Sequence, residues 1–65
     1  MQPHQERVVN ELKELTDKRE KLETFITKST TFSSLEEMEK KRLMRQHLIM
    51  QQYEAVLQER IDAFQ

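Results

Sequence analysis

Arg19 stands in a series that otherwise holds Val8, Leu12, Leu15, Leu22 and Ile26. The steps alternate four and three, the heptad rhythm of an apolar helical seam. A guanidinium in that rhythm is planar, permanently charged, and shaped to grip a carboxylate or phosphate through two parallel bonds. A second guanidinium, Arg42, and the amide of Gln46 lie on the apolar arc of a later helical run, beside Glu39. If the chain folds back near residue 30, Arg19 faces roughly Arg42. Arg19, Arg42 and Gln46 then border a groove for an anion, a phosphate or a carboxylate. The competing reading is structural. Arg19 and Arg42 pair with Glu39 or Glu23 and fix the register of the seam at some cost in stability. Their long stems can also lie along the seam with the charged heads in water.

Other chemistries find less support. The most basic stretch, "EKKRLMRQH" at 39–47, carries Lys40, Lys41, Arg42, Arg45 and His47. Glu36, Glu37 and Glu39 crowd its start, and acidic-then-basic order suits a solvated helix face. It has no recognition-helix motif and no stacking platform, so nucleic acid is not an expected partner. His4 and His47 are the two histidines, and neither sits in an H-E-x-x-H or E-x-x-H spacing that binds metal. With no Cys there is no thiolate site and no disulfide. With no Gly there is no phosphate-cradling loop or dinucleotide-binding turn. The carboxylates follow helix-surface spacing, and the serines cluster where caps are needed. The expectation is a protein with no catalytic residue, no metal and no cofactor.

These side chains need helices to position them. The 65 residues suffice for one small domain, taken as residues 1–65. Val9 and Phe25 widen the first stripe at its ends, and Pro3 suits a first helical turn, where a missing N–H costs little. The first helix is expected at about residues 4–28. "STTFSS" at 29–34 breaks the Lys/Glu/Leu-rich composition, with Phe32 expected to plug the open end. Ser34 and Glu37 have capping-box spacing, so a second helix should run from about residue 35 to about residue 64. Its apolar arc includes Leu35, Met38, Leu43, Ile49, Met50, Tyr53, Val56, Leu57, Ile61 and Phe64. Met44 and Leu48 lie one turn apart on the far side. With Arg45 they form a candidate patch for a partner protein.

A short connection between long helices favours an antiparallel hairpin. In the expected register Leu15 lies near Gln46 and Val8 near Tyr53, so the second helix overhangs the first, with Val56, Leu57, Ile61 and Phe64 projecting past most of its apolar part. A lone hairpin of this size has little core, and its apolar stripes need further cover. The expected fold is therefore all-α: an antiparallel helical hairpin that self-associates into a helix bundle, a four-helix dimer or higher. The start, "MQPHQERVV", lacks the apolar run of a signal peptide. No stretch approaches the roughly 20 apolar residues of a membrane span.

The order of features resembles a known group. "ERVV" at 6–9, "KLETFI" at 21–26, the acidic start of the second helix, "LMRQHLIMQQY" at 43–53 and "ERI" at 59–61 are similar to a family of small phage and prophage proteins. That family is described as related to a crAss-like phage protein and has no settled function. The resemblance implies a phage-borne accessory protein working in the cytoplasm of a bacterial host, and it brings no catalytic residue with it. Such proteins commonly act by binding. One expectation is an oligomer that inhibits or modulates a host defence or regulatory protein through Met44, Arg45 and Leu48. Another is an oligomer that sequesters a small anionic ligand such as a nucleotide signal through Arg19, Arg42 and Gln46. A third is a structural or scaffold component.

Overall fold

In a computed structural model, which describes residues 1–65, the first element is α1, Pro3–Lys28. Pro3 occupies the first turn, where its fixed φ and missing N–H are tolerated. Just ahead of it the Gln2 N–H donates to Gln5 Oε1 at 2.9 Å. That bond satisfies one free donor of the helix start and gives the buried Gln5 a partner.

The chain leaves α1 at Ser29 in extended backbone and reverses without any residue at positive φ. A single helical turn, α2 at Thr30–Ser33, fills the hinge. Ser29 Oγ caps it by accepting from the Thr31 N–H at 3.1 Å. Phe32 meets Phe25 edge-on, with ring centroids 5.9 Å apart and planes at 81°, and closes that end of the hairpin. The capping box expected from Ser34 and Glu37 does not form. Ser34 Oγ donates instead to the Thr31 carbonyl at 2.9 Å, an oxygen that also accepts the Ser34 backbone N–H. The second long helix, α3, is therefore shorter than expected, Glu37–Asp62, with Glu36 as its extended N-cap. Glu37 and Glu39 in its first turn complement the positive end of the helix dipole.

Helices α1 and α3 pack against each other in antiparallel sense, since Thr16 meets Glu54 and Glu23 meets His47. Val8, Leu15 and Leu57 form the buried core, with Leu12, Met50, Ile61 and Phe64 against it. The inward seam of α3 runs Lys40, Leu43, His47, Met50, Glu54, Leu57, Ile61, all at least partly covered. Its steps alternate three and four, as a heptad seam requires.

This register differs from the expected one. The reversal takes up residues 29–36, including α2, so each α1 residue meets a later α3 residue than a fold near residue 30 provides. Arg19 consequently lies against Glu54, not Arg42. The two long helices are equal at 26 residues each, and the expected overhang of the second is absent. Leu57, placed in that overhang by sequence, is the most buried side chain in the chain.

The hairpin is a rod of 47 × 15 × 13 Å with a radius of gyration of 14.7 Å. A globular chain of this length would have a radius of about 11 Å. The accessible surface is 5081 Å², against about 4,400 Å² for a globular monomer of this mass. Two helices in one layer cannot enclose a core, and half of α3's apolar arc stays in solvent.

Candidate functional site

The polar seam residues pair with one another across the hairpin. Arg19 Nε forms an ion pair with Glu54 Oε1, both side chains being 17% exposed. The buried Arg19 N–H is not aligned for a hydrogen bond there, so the contact is mainly one of charge. Thr16 Oγ1 donates to the second oxygen, Glu54 Oε2, at 2.7 Å. Arg19 Nη1 also reaches Glu23 Oε1 at 3.3 Å, one turn along α1. The same carboxylate oxygen lies 3.2 Å from His47 Nε2. Together these contacts form a polar band that joins the two helices. An open cleft of about 460 Å³ adjoins it, bordered by Leu12, Thr16, Arg19, Gln51 and Glu54. Glu54 cancels the charge that an anion would seek in Arg19.

Arg42 and Gln46 lie in a different place. With Arg45, Ile49 and Met50 they border an open cleft of about 360 Å³ on α3. That volume falls near the lower end for small-molecule sites. Arg42 Nε donates to Glu39 Oε1 at 2.8 Å, and the Arg42 side chain is 51% exposed. A guanidinium has five N–H groups, and this bond uses one. Arg45 is exposed and enters none of the chain's ion pairs. Of the three residues that sequence spacing grouped around an anion, the structure thus brings Arg42 and Gln46 together and sets Arg19 apart. The cleft has two cationic forks, one amide and an apolar wall from Ile49 and Met50.

Met44 and Leu48 are 48% and 53% exposed and lie one turn apart on another flank of α3. Arg45, joined to them by sequence, lines the arginine cleft. No three His, Asp or Glu side chains converge as metal ligands would. No helix is long and apolar enough to cross a membrane.

Sequence reasoning missed Thr16 and Glu54 as partners of Arg19, and His47 as a seam residue. A signal was available. Lys40, His47, Glu54 and Ile61 recur at intervals of seven, which marks one position of a heptad. A polar residue recurring there finds its counterpart in Arg19 on the facing helix.

Comparison with known families is decisive at one point. Residues 2–63 match the family described as Sequestin. The chain belongs to the Sequestin family. That match spans both long helices and the hinge, so the seam, the arginine cleft and the exposed α3 flanks all lie within Sequestin sequence. No curated protein and no solved structure matches the chain. The Sequestin name is consistent with a binding or sequestering role.

Proposed function

We propose that this protein acts without catalysis, by stoichiometric capture of a small anionic ligand such as a nucleotide. The observation that carries the reading is the cleft where Arg42, Arg45 and Gln46 meet the apolar edge of Ile49 and Met50. Two guanidinium forks suit phosphate oxygens, and an apolar wall suits a flat base. The family name supports capture as the mode of action. In this reading Arg19 is structural, held by Glu54, and Arg45 takes its place in the anion site. The setting we propose is the cytoplasm of a bacterial host, where a phage-borne protein of this kind would blunt a defence or regulatory signal. We further propose that the chain self-associates, because the single hairpin encloses so little core.

The exposure of Met44 and Leu48 favours a second reading, in which that flank holds a host protein and inhibits or modulates it. One set of measurements separates the two. Thermal unfolding is followed with a panel of linear and cyclic nucleotides. A captured nucleotide at 100 times its dissociation constant should add about 2.7 kcal/mol to stability. Arg42→Ala with Arg45→Ala should weaken capture at least about tenfold, since charge-assisted bonds are worth roughly 1.5–3 kcal/mol each. Met44→Glu with Leu48→Glu should leave capture intact. No shift with any nucleotide, joined to loss of a host protein from pull-downs by the Met44/Leu48 variant, would replace the first reading with the second. Absence of both would leave a scaffold role.

A further inference from the structure

Helix α3 carries a second heptad seam beside the one that faces α1. Ile49, Tyr53 and Val56 form its apolar part and are 55%, 43% and 52% exposed. Glu39, Arg42 and Gln46 precede them at the same alternating steps of three and four, and Arg60 follows. The order of side chains along this seam is what identifies its occupant.

Resting on the self-association proposed above, we propose that this seam packs antiparallel against the same seam of a second copy, about a two-fold axis at Ile49. Ile49 then meets the partner's Ile49, and Gln46 lies opposite the partner's Tyr53. Arg42 lays its aliphatic stem over the partner's Val56 and keeps its charge at the rim. Glu39 meets the partner's Arg60, and the pairing occurs twice by symmetry. Such an interface must be self-complementary, residue by residue, and this sequence order is. A parallel pairing would instead set Glu39 against Glu39 and Arg60 against Arg60. Within one chain Glu39 and Arg60 cannot meet. They lie on one straight helix, about 31 Å apart at 1.5 Å per residue.

The pairing also bears on the arginine cleft. It covers Ile49, which walls the cleft in one chain, and brings the partner's Tyr53 beside Gln46, so in the dimer an aromatic edge from the partner replaces that part of the wall. The dimer then holds two equivalent clefts.

Sedimentation equilibrium of the full chain, without nucleotide, tests the pairing. Glu39→Arg and Arg60→Glu should each weaken self-association about tenfold, because two rim attractions become two repulsions. The double variant should recover most of that loss, since each pair between the copies is restored with its signs exchanged, while the bond from Arg42 to Glu39 within one chain is not. An equal mixture of the two single variants should form mixed dimers more tightly than either associates alone. Circular dichroism should show unchanged helix content in all of them. The proposal is overturned if the single variants associate as wild type does, or if the double variant stays as weak as the singles. A wild-type chain that remains monomeric at millimolar concentration overturns it as well. Because no ligand is present, each of these results leaves nucleotide capture to be judged by its own measurement.

Discussion

The two long helices are equal in length and both follow heptad spacing, yet they use their apolar residues differently. In α1, Val8, Val9, Leu12, Leu15, Leu22, Phe25 and Ile26 are all buried or half-buried. In α3, Leu43, Met50, Leu57 and Ile61 face the hairpin, while Met38, Met44, Leu48, Ile49, Tyr53 and Val56 remain exposed. A stripe wider than one neighbour can cover is what a helix needs to contact two neighbours. Helix α1 is thus a structural strut. Helix α3 does that work with one face and leaves the rest, including the arginine cleft, exposed.

The largest test of this division is at Leu57. It is fully buried at the centre of a core with two other buried apolar residues. Leu57→Ala should cost about 2–5 kcal/mol, a large share of the stability of a small domain. Urea unfolding followed by circular dichroism measures it. A loss below about 1 kcal/mol would mean that the inner face is not what holds α3 in place.

Much of this division is legible in the sequence. The alternation from Val8 to Ile26 defines α1 to within a residue of its observed start, and the serine- and threonine-rich break defines the hinge. The register is not legible, because heptad spacing fixes which residues share a face but not where along the axis two faces meet. That depended on α2, a single turn whose presence rests on Ser29 capping Thr31 and Phe32 finding Phe25. Local propensity alone does not call for such a turn. The same missing turn misplaced Arg19 opposite Arg42, and with it one third of the expected anion site. Arg42 and Gln46 survived as neighbours because they lie one turn apart on one helix, where spacing alone decides proximity.

The polar band tests whether the inner face tolerates charge only in pairs. Arg19→Leu leaves Glu54 half-buried with Thr16 as its remaining partner, and should cost about 1–3 kcal/mol. Arg19→Leu together with Glu54→Leu removes both charges. Replacing a covered ion pair by packed apolar side chains is often neutral or stabilising, so the double variant should recover at least the single variant's loss. A double-mutant cycle in urea gives the coupling directly. A coupling near zero would show that Arg19 and Glu54 are held by their own helices and not by each other. The polar band would then separate the helices' faces without joining them.

The smallest effect on the fold is expected at Ile49, on the other face of the same helix. Its side chain is more than half exposed, so Ile49→Ser should change the stability of the isolated hairpin by less than about 0.5 kcal/mol. Its effect should instead appear in concentration dependence. If a second copy covers this face, the wild-type melting temperature rises with protein concentration, because association stabilises the folded state by mass action. Ile49→Ser should flatten that rise while matching wild type at the dilute end. Leu57→Ala should do the reverse, lowering the melting temperature at every concentration. The two variants lie within three turns of one helix, so opposite behaviour would assign the faces separate work. A common drop at all concentrations would mean that α3 has a single role, and that its exposed apolar residues serve the hairpin alone.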